Sequence, residues 1–140
     1  MNYTHVEIMP VTEYPFYPSW GYQSTGFFAT SSRYGRPTDF KKFIDILHQN
    51  DIGVILDVVA VHFANDYYGL SMFDGTHLYE SPYEGLTYSE WGSINFDYSK
   101  GHVRSFMKSS FAYWIENFHI DGIRVDAVSY MVYYLSLIHI

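Results

Sequence analysis

The sequence has no cysteine in 140 residues, which excludes disulfide frameworks and thiolate zinc sites and fits a reducing, cytoplasmic setting. It is also poor in basic residues. Lys and Arg number 8 against 15 Asp and Glu, a formal charge of −7, and no Lys/Arg cluster occurs. An acidic chain without one is a poor phosphate binder, so nucleic acid is not an expected partner. The start, Met1-Asn2-Tyr3-Thr4-His5, lacks a basic segment followed by an apolar run and does not read as a signal peptide. The longest apolar-looking stretch, Tyr130 to Ile140, is too short to span a bilayer, so no membrane is expected either. The length suits one modest domain and falls short of the roughly 250 residues typical of a closed (β/α)8 barrel.

Aromatic residues are plentiful: 15 Tyr, 11 Phe and 3 Trp. Phe and Trp at helical spacing read as core. Tyr in turns beside Gly and Pro is less easily explained by packing, and rings with a polar edge suit the faces of sugars.

The order of elements is legible. Val6 to Val11 reads as a short strand closed by Pro10, and a loop rich in Pro, Gly, Ser and Tyr runs on to about Arg36. Pro37-Thr38-Asp39 opens a helix in which Phe40, Phe43, Ile44 and Leu47 recur at i, i+3, i+4 and i+7. Asp51-Ile52-Gly53 ends it. Val54 to Val59 is a nearly continuous β-branched run, the mark of a parallel strand buried on both faces. From Ala60 to Tyr98 no periodicity is sustained, and an irregular segment of that length is usually functional or mobile. A regular stripe from Val103 to Phe118 gives a second helix, and Ile120 to Val128 a third strand. Two consecutive βαβ units imply an α/β fold with parallel strands, whose ligands bind at the carboxyl ends of the strands.

Polar residues interrupting those strand ends are the candidates for chemistry. Asp57 sits inside an apolar run, with His62 just past its end. A structural reading makes Asp57 a satisfied buried acid and His62 a surface residue. Arg124 and Asp126 lie two apart on the third strand, so their side chains leave the same face. They read as a structural ion pair or as a carboxylate kept charged for nucleophilic attack. Retaining glycosyl transfer needs such a nucleophile and a second, protonated carboxyl group. Neutral His62 suits a sugar hydroxyl, and Tyr22, in Trp20-Gly21-Tyr22-Gln23, suits stacking on a ring.

Leu56-Asp57-Val58-Val59-Ala60-Val61-His62 and Gly122-Ile123-Arg124-Val125-Asp126-Ala127-Val128 resemble the first and second conserved regions of the α-amylase family of glycoside hydrolases and transglycosylases. Ser19-Trp20-Gly21-Tyr22-Gln23, Phe73-Asp74-Gly75-Thr76 and His119-Ile120-Asp121-Gly122 carry the likeness further, toward the bacterial glycogen branching enzymes of that family. The resemblance implies a partial (β/α)8 TIM barrel, roughly strands 2 to 4 with their helices, over residues 1–134, with an unmatched tail at 135–140. It implies that Asp126 is the nucleophile and Arg124 its orienting partner, with Tyr22, Asp57, His62 and Trp20 lining the sugar site. The substrate is then an α-1,4-glucan, cleaved and transferred to a 6-hydroxyl as an α-1,6 branch in glycogen biosynthesis.

No cofactor is implied. Calcium-dependent members carry an Asn where this chain has Val61, which offers no donor to a hard cation, so no metal is expected. Branching enzymes usually show Pro and Ala at Ala60 and Val61. The motif supplying the family's Glu acid/base is not in these residues, so the chain alone is expected to be inactive and marginally folded. A trehalose-releasing trehalohydrolase, a non-catalytic glucan-binding fragment and a functionless remnant stay open beside this reading.

Overall fold

A computed structural model describes residues 2–132. The tail expected at 135–140 lies outside the described residues. Three parallel strands form the central sheet: β1 (His5–Ile8), β4 (Gly53–Val58) and β7 (Gly122–Val125), in the order β1-β4-β7. Two helices make the crossovers, α1 (Pro37–His48) between β1 and β4, and α3 (Gly101–Phe118) between β4 and β7. Both βαβ units read from the sequence are present, and the register aligns Ile8 with Leu56 and Asp57 with Arg124.

The strands are shorter than the apolar runs that announce them. β1 stops at Ile8, ahead of Pro10, which has no N–H to give a ladder. The Val11 carbonyl instead accepts from the Ser31 amide at 2.7 Å. β7 stops at Val125 because the chain turns at Ala127, whose φ of +50° is uncommon for a residue with a Cβ.

The helices form for local reasons that agree with their packing. Pro37 stands in the first turn of α1, and Asp39 accepts from the Arg36 amide at 2.9 Å, satisfying an N-terminal donor. Ile44 and half-buried Phe40 and Leu47 pack on one core with Val54, Leu56, Val58, Trp114 and Phe118. Each fully buried side chain of this set contributes about 1.5–3 kcal/mol when withdrawn from water. Phe43, although on the periodic stripe, is 44% exposed.

α3 serves two cores. Trp114 and Phe118 face the sheet, while Val103 and Met107 pack with Phe27, Phe63, Ile94 and Phe96 in a second cluster. Ile115, on the same stripe, stays on the surface.

The second core is built by segments that the sequence pattern does not resolve. The loop before Arg36 contains an antiparallel pair, β2 (Thr12–Glu13) with β3 (Gly26–Thr30). It docks on α3 through the Phe27 carbonyl, which accepts from Ser110 Oγ at 2.8 Å and Trp114 Nε1 at 3.0 Å. The segment from 60 to 98 contains β5 (His62–Phe63) paired antiparallel with β6 (Ile94–Asn95), and the short α2 (Glu84–Thr87).

Polar contacts fasten this segment. Fully buried Glu80 accepts from the Met72 amide at 2.9 Å and the Tyr79 amide at 3.2 Å. The Lys100 ammonium bonds the carbonyls of His77 and Glu80, and the Tyr98 hydroxyl donates to the Ala60 carbonyl. Long irregular chain is therefore held by charges and hydroxyls where it lacks ladders. Among the described residues no helix is long and apolar enough to cross a membrane.

Candidate functional site

The carboxyl ends of β4 and β7 bring Asp57, Arg124 and Asp126 together. Asp57 and Arg124 are register partners on neighbouring strands, and Asp126 follows β7, its amide donating to the Val58 carbonyl at 3.0 Å. One nitrogen of Arg124, Nη1, donates to Asp57 Oδ2 at 2.7 Å and to Asp126 Oδ1 at 2.6 Å. Both carboxylates therefore answer to one guanidinium. Asp57 is 3% exposed, whereas the Arg124 side chain is 42% exposed and that of Asp126 23%. The buried acid anchors the arginine and the arginine presents Asp126 toward the open side. The two carboxylates raise the affinity of Arg124 for its proton, the hydrogen bond to Asp57 contributing most.

Tyr22 reaches this pair from the loop after β1 by a backbone device. Gly21 has φ +92°, and a Cβ there would stand 2.5 Å from the Pro10 carbonyl oxygen. Only glycine fits this close left-handed turn. It delivers the Tyr22 hydroxyl to Asp57 Oδ2, which accepts its proton at 2.8 Å. Burial, then the hydrogen bond to Asp57, push the Tyr22 hydroxyl up to about 12, so it stays a donor.

His62 is 3% exposed, and the surface location of the structural reading is overturned. Its backbone pairs with Asn95 across the β5–β6 ladder, which carries the side chain inward. Burial pulls its value down to about 4, against a smaller opposite pull from Asp126, so the imidazole is neutral at pH 7. Its Nδ1 has no hydrogen-bond partner, and neither does Asp57 Oδ1, although both atoms are buried. Unpaired buried polar atoms cost about 1–3 kcal/mol each. Both are left with hydrogen-bonding capacity that the fold does not use.

Trp20 is placed elsewhere than expected. It takes φ +54° at the end of a 3-10 turn, is 67% exposed, and lines an apolar groove of about 690 Å³ with Pro10, Phe40 and Phe43. The left-handed residue sends Trp20 and Tyr22 in different directions, so Tyr22 alone of that motif bonds the acid cluster. The sequence reading missed Trp91. Its ring lies 5.4 Å from that of His62, and it sits in a segment without periodicity, where the only cue was an aromatic residue beside Gly92.

No family model matches the chain. It is 56% identical over 134 residues to the 1,4-alpha-glucan branching enzyme GlgB of Fusobacterium nucleatum, covering 96% of this chain and 22% of that one. It is likewise 56% identical over 134 residues to GlgB of Aquifex aeolicus, covering 95% and 21%. The chain thus spans about a fifth of the length of these relatives. Among solved structures, a putative alpha amylase from Salmonella typhimurium superposes with a TM-score of 0.74 at 31% identity, over 91% of this chain and 21% of the other. The alpha-amylase of Geobacillus thermoleovorans, solved in complex with acarbose, gives 0.75 at 22% identity over 88% and 30%. The parallel α/β architecture is that of part of an alpha-amylase barrel.

Proposed function

We propose that this chain, similar to one segment of the GlgB branching enzymes, carries the nucleophile and part of the sugar site of a 1,4-α-glucan branching enzyme. The observation that carries the reading is the single Arg124 nitrogen held between buried Asp57 and more open Asp126 at adjacent strand ends. Residues 1–134 are the barrel part in this reading, with 135–140 outside it. Identity of 52–56% to several branching enzymes favours this reading over a trehalohydrolase.

Asp126 Oδ attacks the anomeric carbon of an α-1,4-linked glucosyl unit. The C1–O4 bond breaks, and O4 leaves with a proton from an acid. Asp57 and Asp126 both engage Arg124, so neither is placed to be that acid, and another carboxyl group supplies the proton. The glycosyl ester on Asp126 then yields to the 6-hydroxyl of a second glucan, whose proton returns to the same acid while an α-1,6 bond forms. Two displacements retain the configuration.

Arg124 keeps Asp126 charged and aimed. Asp57 Oδ1 and neutral His62 bind sugar hydroxyls, and Tyr22 bonds Asp57 while offering its ring. No cofactor or metal enters this scheme. The substrate is an α-1,4-glucan.

Grafting residues 2–134 in place of the matching segment of the Fusobacterium nucleatum enzyme tests the proposal, with branching of amylose read as new α-1,6 linkages. The chimera is expected to branch amylose while the 140-residue chain alone does not. A folded chimera that binds amylose without forming branches overturns the reading.

A further inference from the structure

Trp91 has no part in the scheme above, yet it is tied to three sides of the site. Its ring lies over that of His62, centroids 5.4 Å apart and planes tilted by 38°. Its other neighbour is Tyr130, edge-on at 5.4 Å, whose hydroxyl donates to Glu90 Oε1 at 2.7 Å. Its backbone is pinned as well. The Gln23 side chain, next to Tyr22, donates to the Trp91 carbonyl at 3.2 Å, and the Trp91 amide donates to Ser89 Oγ at 3.2 Å.

Trp91 is itself 45% exposed, whereas the imidazole beneath it is almost wholly covered. A half-exposed tryptophan held by two loops and by Tyr130, which lies past the turn that follows β7, is a poor core residue and a good roof.

We infer that Trp91 is a positioning residue: its indole roofs His62, shuts water away from the imidazole and fixes the ring against the sugar site. This inference rests on the branching-enzyme reading for its catalytic consequence, but not for its physical one. Water kept from the ring disfavours the charged form, in line with the depressed His62 value. Asp126, at the end of β7, is the charged group that acts on His62, and Glu90 precedes Trp91 in the chain. Arg124 already pairs with both Asp57 and Asp126, and Glu90 is engaged by Tyr130. A protonated His62 would draw on the charge of Asp126, the one acid here that lowers the cost of its protonation. A neutral ring leaves the nucleophile to Arg124 alone.

The test follows the His62 imidazole by NMR with histidine ring labels, assigned by loss of its signal in His62→Gln, in the 140-residue chain and in the chimera. The wild-type midpoint is expected near 4, as the buried ring requires. In Trp91→Ala it climbs toward the ordinary histidine value of about 6.5. In Trp91→Phe, which keeps a ring over the imidazole, it stays near the wild-type value.

In the chimera the acid limb of kcat/KM moves upward with that midpoint in Trp91→Ala. At about pH 5.5 the Ala variant then loses about tenfold against its own rate at about pH 7.5, while the Phe variant does not. A midpoint unmoved by Trp91→Ala, or equal losses in the Ala and Phe variants with an unmoved acid limb, overturns the inference. A chimera without branching activity whose His62 midpoint still moves with Trp91 overturns the functional reading and leaves the roof in place.

Discussion

At its amino-terminal end the central sheet carries His5, His48 and Asp121; at its carboxyl end it carries His62, Asp57 and Asp126. The residue types are the same and their circumstances are opposite. Asp121 Oδ2 accepts from the Val54 amide at 2.7 Å and from His48 Nε2 at 2.8 Å, and the Asp121 amide donates to the Val54 carbonyl at 2.8 Å. This acid closes the ladder where β4 and β7 begin. At the other end, Asp57 keeps one buried oxygen and His62 one buried nitrogen without partners. Acids and histidines alone therefore do not mark a site. Thr30 Oγ1 and Asn95 Oδ1 are also buried without partners, so unused hydrogen-bonding capacity counts toward a site only where it joins the Arg124 cluster at the carboxyl ends of parallel strands, where such sheets bind ligands.

The harshest way to break this contrast is to remove Asp126, the proposed nucleophile. Asp126→Asn in the chimera is expected to cut branching by about 10⁴-fold or more, since loss of an attacking group leaves only binding and the remaining electrostatics. Arg124 keeps its bond to Asp57, so thermal unfolding is expected to stay close to that of the parent. A variant that kept a tenth of the parent's activity would return the Arg124–Asp126 pair to the status of a structural ion pair.

A crossed comparison of the two ends comes next in size. Asp57→Asn is expected to lower kcat/KM by about 10²-fold, because Arg124 loses its charged anchor and the sugar site an acceptor. Asp121→Ala is expected to leave kcat/KM unchanged and to cost about 1–2 kcal/mol in urea unfolding, the cost of an unpaired Val54 amide in the core. Equal activity losses at the two positions would erase the distinction between them. Arg124→Lys sharpens the same contrast at one atom. A point charge on a flexible stem does not reproduce a planar nitrogen shared by two carboxylates, and a loss of about tenfold or more in kcat/KM is expected with little change in stability.

How much of this was legible in the sequence follows from which forces leave a periodic trace. The Val54 to Val59 run and the Val103 to Phe118 stripe announce β4 and α3 because burial on a regular element repeats with that element's period. The β2–β3 pair and the β5–β6 ladder leave no such trace. The latter two strands have two residues each, held by Glu80, Lys100 and Tyr98 through contacts distant in sequence. At the site, Asp57, Arg124 and Asp126 were legible as charges in apolar runs, and Tyr22 through its glycine. The direction taken by Trp20, and the presence of Trp91 beside His62, left no trace in the sequence for one reason. The direction of an aromatic side chain in a loop depends on backbone angles, such as φ +54° at Trp20, that residue type does not dictate.

The smallest effects separate the two ends by pH. His62 has a value in the folded chain below its ordinary one, about 4 against 6.5. Between those values the unfolded chain takes up a proton that the folded chain refuses. Unfolding is therefore favoured as pH falls through that window. Asp121 also has a lowered value, below 3.8, chiefly because its carboxylate accepts from the Val54 amide. Its contribution is fully present above 3.8 and is lost only as pH falls through the lower folded value. Urea midpoints followed from neutral pH downward are thus expected to decline in two steps, the carboxyl-end histidine first and the amino-end acid afterwards. His62→Gln removes the upper step and keeps the lower, whereas Asp121→Ala keeps the upper and only reduces the lower, to which Glu13, also held below its ordinary value, contributes as well. If His62→Gln left the upper step intact, the buried imidazole would not be its source. The claim that this end of the sheet gives up stability to keep a neutral, unpaired ring would then fail.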